Sequence, residues 1–315
     1  MEEYLFRQGG KSVLRKVAAV VVNKNTRKML RECLLSLLSQ DVEGGIAIWV
    51  VDNGSRDGSP EMVLADFPQV NLLWNDENVG YARACNEGIA LTEEPFILVM
   101  NADTILSQNT ASIIVSFFET HPDAAVVGPR LLNTDGTLQF SCREFPSIAQ
   151  AAGHAFIGLL SEKNPWTRKY KKREWDHLSE REVDWVSGAF MGLRREALEQ
   201  VGGFDEKYFM YVEDVDLCWM LRQKGWEVWY IPFGDVIHHI GQSSKLATTR
   251  MTYHHHRSMF RFYRKTYSGP LKPFMSSLIF LGLVARFCLV SGLNGLNRLK
   301  SSFSSERKSG GLEEK

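Results

Sequence analysis

Three apolar runs in the first third of the chain stop at polar side chains. Val17, Ala18, Ala19, Val20, Val21 and Val22 lead to Asn23, and Ile46, Ala47, Ile48, Trp49, Val50 and Val51 lead to Asp52. Phe96, Ile97, Leu98, Val99 and Met100 lead to Asn101, Ala102 and Asp103. Unbroken apolar runs of this kind suit strands covered on both faces. After the first and third runs, apolar residues recur at helical spacing: Leu30, Leu34, Leu37 and Leu38, then Ile113, Ile114, Phe117 and Phe118, the latter within a helix expected over 109–119. Alternating strands and helices predict an α/β domain with a mixed, mainly parallel central sheet and helices on both faces. Ligands of such sheets sit beyond the carboxyl ends of the strands, where Asn23, Asp52 and Asp103 stand. Each alone would pass for a turn or helix-cap residue. Their repetition at three strand ends is what argues for a site.

The second half is less regular. Residues 187–193 and 227–231 read as strands, 214–224 as a helix closed by Gly225, and 252–267 as a further helix. The 214–224 helix opens on the acid pair Glu213 and Asp214, near the positive end of the helix dipole, while Leu217, Met220 and Leu221 share the face that would be buried. Capping alone explains two acids at a helix start. General-base chemistry also needs such a carboxylate, and a neighbouring like charge tunes its proton affinity. A strand-like stretch from Asp235 ends at His238, followed by His239. Mg²⁺ or Mn²⁺ bound to a diphosphate needs few protein ligands, so Asp103 with His238 would suffice. A lone histidine at a strand end is more often structural, and His254, His255 and His256 are left as surface or acceptor-side residues.

Bulk numbers narrow the class. A chain of 315 residues buries a substantial core and forms about one large domain or two modest ones. Its 37 basic and 37 acidic residues cancel, which gives no field to attract nucleic acid, so no nucleic-acid partner is expected. Five scattered cysteines form no CxxC pair and fit a reducing compartment. The N-terminal residues carry charges where an export signal needs an apolar centre, which predicts a cytoplasmic protein. Residues 274–290 are apolar apart from Arg286 and small polar residues, and read as a helix lying on a membrane or packed on the domain. Basic residues interleaved with aromatics, at 165–175 and 257–265, raise the case for peripheral contact with the cytoplasmic face of the inner membrane. The expected organisation is a loose lead-in at 1–15, one domain over 16–268, an apolar helical tail over 269–300 and a disordered end at 301–315.

The strings VVNKN, VVDNGSRDGS, ENVGYARACNEG, VMNADT, VGPRLLNTDG, WVSGAFMGLRREAL, GGFDEKYFMYVEDVDLCWML and VIHHIGQSS, in this order over about residues 17–265, resemble the inverting family 2 glycosyltransferases, which have a GT-A fold. They are most similar to the rhamnosyltransferase-type branch that builds bacterial surface polysaccharides from dTDP-sugars. The resemblance implies that Asn23, Asn25, Asp52 and Asn53 line the nucleotide pocket and that Asn78, Gly80 and Asn86 shape it. It implies that Trp185, Ser187, Gly188 and Ala189 lie beside the donor sugar, with Asn101 in the same donor-binding set. Asp103 corresponds to the last acid of the DxD signature and would hold the metal with His238. Asp214, paired with Glu213, would be the base. Two departures stand out: Lys24 replaces a tyrosine, and Asn101 replaces the first acid of the signature. Lys24 is open between phosphate contact and solvent.

The implied reaction moves a sugar, best taken as rhamnose from dTDP-rhamnose, from a nucleotide-diphosphate donor to a lipid-linked saccharide acceptor. A UDP-hexose or UDP-N-acetylhexosamine donor is the nearest alternative. A nucleotidyltransferase would carry a Gly-rich basic loop after the first strand, which VVNKNTRKML lacks. A noncatalytic sugar-nucleotide-binding protein could dispense with the acid pair and the strand-end histidine, and both are present.

Overall fold

The apolar run at the start of the chain becomes strand β1, Val17–Asn23, buried along its whole length. The computed structural model describes residues 16–145, 175–239 and 249–309. On either side of β1 lie β2 (Ile46–Asp52) and β4 (Phe96–Asn101), both parallel to it, with β3 (Asn71–Trp74) beyond β2. Helices α1 (Arg27–Leu38), α2 (Ser59–Asp66), α3 (Tyr81–Ala90) and α4 (Thr110–Thr120) follow β1, β2, β3 and the short β5 (Thr104–Leu106). Leu30, Cys33, Leu34 and Leu37 of α1 are buried, as their spacing requires.

The sheet continues through β11 (Phe190–Arg194), β6 (Ala124–Leu132), β12 (Glu227–His238) and then β5. β11 runs antiparallel to both β4 and β6, and β5 antiparallel to β12, while β6 and β12 are parallel. The sheet is therefore mixed, with a parallel half that carries the three predicted strand ends side by side. β7 (Leu138–Gln139) and β9 (Arg181–Glu182) pair at its margin, and β8 (Cys142–Arg143) with β10 (Trp185–Val186) form a separate two-stranded ribbon.

Three expectations are corrected here. The strand expected over 187–193 starts only at Phe190, because Ser187 N–H donates to the Ser141 carbonyl and Gly188 N–H to Asp214, outside the main ladder, while Trp185 and Val186 before them pair with β8. The strand expected over 227–231 runs on to His238 across a register shift between Ile231 and Val236, where Gly234 takes φ 70°. The chain divides into two compact units, Met1–Lys245 and Leu246–Lys315, so residues 246–268 go with the tail rather than the sheet domain.

The second unit contains α7 (Thr249–Thr266) and α8 (Lys272–Ser309). Between these two helices the Phe260 and Phe280 rings lie 5.7 Å apart and the His256 and Phe287 rings 6.2 Å apart. α8 extends through Ser309, into the stretch expected to be disordered from 301. The lead-in 1–15, the basic cluster up to residue 174 and residues 310–315 lie outside the described residues. Trp175, the last of that cluster, packs on His177 at 4.2 Å and Tyr230 at 5.0 Å, inside the sheet domain.

Candidate active site

The strand ends form one connected polar edge. β1 and β2 are in register with Asn23 opposite Asp52. Asn23 Nδ2 donates to Asp52 Oδ2 at 2.6 Å and to Ser55 Oγ at 3.1 Å, and both side chains are fully buried. Asp52 Oδ1 accepts the Ser55 N–H at 2.7 Å. Asn25, in the left-handed region at φ 53°, accepts from Arg56 N–H at 2.7 Å while its own N–H donates to Ser55 Oγ at 2.8 Å. Lys24 donates to the Gly54 carbonyl, so it pins the loop after β2, which is neither of the roles the sequence left open. Asn53 donates to Asn78 Oδ1 at 3.0 Å and to the Gly80 carbonyl at 3.2 Å.

Gly80 couples this edge to the acid pair. Its φ is 95°, and a Cβ there would stand 2.7 Å from the Phe209 carbonyl, which also accepts the Tyr81 N–H at 2.8 Å. Only glycine fits at that approach. Asn86 departs from expectation: its amide donates to the Phe204 carbonyl at 2.9 Å and to Glu206 at 3.0 Å and accepts from Phe204 N–H at 2.9 Å, bracing the 203–206 loop.

Helix α6, Glu213–Gln223, follows α5, Arg195–Val201. Tyr211 and Val212 before it take φ of 67° and 73°. Two successive non-glycine residues in this region, one β-branched, cost of order 1–3 kcal/mol each and mark a backbone held for a purpose. The result aims the first turn of α6 at the 187–189 segment. Gly188 N–H donates to Asp214 Oδ2 at 2.8 Å, and a Cβ on Gly188 would lie 3.2 Å from the Asp214 Cβ. The Gly188 carbonyl accepts from the Tyr81 hydroxyl at 2.6 Å, and the Ala189 carbonyl accepts the Asn101 N–H at 3.0 Å. Segment 187–189 thus bridges the end of β4, the start of α3 and the acid pair.

The two acids sit in different surroundings. Glu213 is buried, its Oε2 has no hydrogen-bond partner, and burial followed by the charge of Asp214 pushes its carboxyl well above the usual range. Asp214 is partly exposed. Burial raises its carboxyl too, opposed by the Gly188 and Val215 N–H groups and by the Arg143 charge. Burial therefore weighs more heavily on Glu213, which lacks the N–H donors that Asp214 has. Arg143 is absent from the sequence prediction. It lies 5.1 Å from the Trp185 ring centroid, brought there by the pairing of Arg143 with Trp185 in the β8–β10 ribbon, which no local motif announces.

At the other end of the edge, the pairing of β5 with β12 sets His238 opposite Thr104, beside Asp103. His239 N–H donates to the Asp103 carbonyl at 2.9 Å. His238 Nδ1 is 2.7 Å from Gln139 Oε1, and its Nε2 is 3.3 Å from Asp103 Oδ1. Asp103 Oδ1 is buried and has no hydrogen-bond partner. Asp103 Oδ1 and His238 Nε2 are close enough together to ligate one cation. Arg130 steadies this corner through a bidentate pair with Asp235, at 2.7 and 2.9 Å, directly after Gly234 in the irregular stretch of β12. Among the described residues no group of three or more His, Cys, Asp or Glu side chains could hold a metal ion, so the fit is to an ion that takes its remaining ligands from diphosphate and water.

Residues 18–202, more than half of the chain, match the family described as Glycosyl transferase family 2. An N-acetylglucosaminyl-diphospho-decaprenol L-rhamnosyltransferase of Mycobacterium tuberculosis is 34% identical over 249 residues, covering 76% of this chain and 81% of that protein. The rhamnosyltransferase WbbL of Escherichia coli is 28% identical over 171 residues, covering 54% of this chain and 62% of that protein. Among solved structures, the mannosyltransferase PcManGT from Pyrobaculum calidifontis in complex with GDP-Man and Mn²⁺ matches with a TM-score of 0.55 at 16% identity, over 92% of this chain and 79% of that one, a likeness of fold. The sheet is accordingly of the GT-A type, and the chain belongs to glycosyl transferase family 2.

Proposed function

We propose that this glycosyltransferase moves L-rhamnose from a nucleoside-diphosphate donor to a lipid-linked saccharide on the cytoplasmic face of the membrane, with inversion at the anomeric carbon. The observation that carries the reading is the partly exposed Asp214 carboxylate, fixed by the Gly188 N–H beside the buried Glu213. The rhamnose donor and the lipid-linked acceptor are supported by the relative named for transfer to a decaprenyl-diphosphate-linked sugar.

In this reading the nucleoside is received along Asn23, Asn25, Asp52 and Asn53, and the sugar lies beside Asn101, Trp185 and the 187–189 segment. Asp214 accepts the proton of the acceptor hydroxyl as that oxygen forms its bond to the anomeric carbon from the face opposite the diphosphate. The bond to the diphosphate breaks with its electron pair on the leaving oxygen, and configuration inverts. Base assistance of this kind contributes typically ~10²- to 10⁴-fold. Asp103 and His238 would hold a Mg²⁺ or Mn²⁺ ion, which when bound supplies charge neutralisation for the leaving diphosphate.

Purified protein incubated with a panel of dTDP-, UDP- and GDP-sugars, with and without Mn²⁺ or Mg²⁺, tests the reading through nucleoside diphosphate release. Release from dTDP-rhamnose in preference to the others is expected. Preference for a UDP-hexose or UDP-N-acetylhexosamine replaces the donor assignment, and release without a divalent cation removes the metal from it.

A further inference from the structure

The cancelling charge of the chain conceals a split. Residues 1–245 carry 25 Lys and Arg against 34 Asp and Glu, whereas residues 246–315 carry 12 against 3. Between 246 and 305 there is no Asp or Glu at all. The C-terminal unit is therefore a strongly cationic pair of helices.

Two of those cations, Arg264 and Lys272, line an open groove of ≈ 590 Å³ between α7 and α8, together with Phe260, Ser276, Phe280 and Leu281. Arg264 lies over the Phe260 ring at 6.0 Å, and Lys272 opens α8, so that helix's first amides add to the positive potential at the same end. Beyond the groove α8 turns Phe274, Leu278 and Leu289 outward, each 50% exposed or more. The one charge within residues 273–292, Arg286, is turned to α7 instead: its Nη1 is 2.9 Å from His256 Nε2, and His256 Nδ1 donates to the Thr252 carbonyl at 2.6 Å. The outward side of α8 is thus apolar, with a cationic, partly apolar groove at its start.

We infer that this groove binds the headgroup phosphate of an anionic phospholipid, with α8 lying in the membrane interface and its apolar side against the acyl chains. A free phosphate would answer only the two cations and leave Phe260, Phe280 and Leu281 in water, whereas an acylated phosphate answers both parts of the lining. Lys272–Gly292 is long and apolar enough to cross a bilayer. A crossing would draw Arg286, and with it the α7 helix bearing Arg250, Arg257, Arg261, Arg264 and Lys265, toward hydrocarbon, which favours the interfacial position. The inference extends the proposed lipid-linked acceptor by giving the enzyme its own hold on the lipid surface.

The test is co-sedimentation of the full chain with vesicles of phosphatidylcholine alone and of phosphatidylcholine mixed with phosphatidylglycerol. Binding to the mixed vesicles only is expected. Arg264→Gln with Lys272→Gln should weaken it about 30-fold, at roughly fivefold per cation, and Ser276→Trp, which fills the groove without changing charge, should weaken it as well. Arg257→Gln with Lys265→Gln is the charge-matched control and should cost less. Equal losses in both double variants with no effect of Ser276→Trp would overturn the groove in favour of diffuse attraction. Full displacement by soluble glycerol phosphate would overturn the lipid in favour of free phosphate. Donor-dependent nucleoside diphosphate release without vesicles should match wild type in all these variants, so failure of the membrane inference and failure of the proposed reaction are read separately.

Discussion

His238 Nε2 faces the buried Asp103 Oδ1 at 3.3 Å, with the opposite nitrogen of the ring held by Gln139. The arrangement exists because β5 and β12 pair with Thr104 opposite His238. A partner that fixes the tautomer of a ligating histidine is typically worth ~10- to 100-fold in metal affinity. Gln139→Leu should therefore raise the Mn²⁺ concentration for half-maximal nucleoside diphosphate release by about that factor, and Asp103→Ala should abolish the response to Mn²⁺. Titrations that superimpose on wild type in both variants would remove this corner from metal binding.

Asp214→Asn should lower turnover by ~10²- to 10⁴-fold while donor affinity, measured by calorimetry, stays near wild type. The amide keeps the size of the carboxylate and can still accept the Gly188 N–H, so the 187–189 segment should hold its place. Loss of donor binding along with turnover would assign Asp214 a structural role.

Glu213 predicts a pH dependence of stability. Its folded carboxyl lies well above the ordinary value because of burial and then the Asp214 charge. The native state therefore keeps a proton that the unfolded chain releases near the ordinary value of about 4.3, and the native state loses ground as pH rises from there toward the folded pKa. Glu213→Gln mimics the protonated acid and lacks this loss. Relative to wild type, its denaturation midpoint should improve progressively as pH rises above about 4.5. A difference between the two proteins that is flat over that range would show Glu213 to be ionised when folded.

Gly80→Ala joins a strained φ to a Cβ 2.7 Å from the Phe209 carbonyl, a backbone atom that cannot swing away. Strain of this kind costs about 1–3 kcal/mol before any displacement of the 208–212 loop. Because that loop carries the chain into Glu213 and Asp214, the variant should lose turnover as well as thermal stability. An unchanged turnover with a lowered melting temperature would mean that the loop's exact position does not govern the acid pair.

The parallel half of the sheet was legible in the chain because each strand there is covered on both faces, which demands the unbroken apolar runs ending at Asn23, Asp52 and Asn101. The acid pair could be found for a similar reason, since it opens a helix whose apolar spacing is plain. Arg143 and Gln139 could not be found this way. Each acts through a partner distant in sequence, Trp185 and His238, and neither lies in a run whose periodicity marks it. The two positive φ angles at Tyr211 and Val212 also leave no trace in residue type, because neither residue favours that conformation.

The sequence by itself determined the class of the sheet, the placing of polar groups at its strand ends and the family, because these rest on local burial pattern and ordered motifs. Tertiary structure decided which polar groups meet. It set Asp103 against His238 through an antiparallel pairing, Asp214 against Gly188 through a strained turn, and the Asn86 side chain of α3 against the 203–206 loop. It also separated an acidic sheet domain from a cationic helical unit, a division that net charge, a sum over the whole chain, erases.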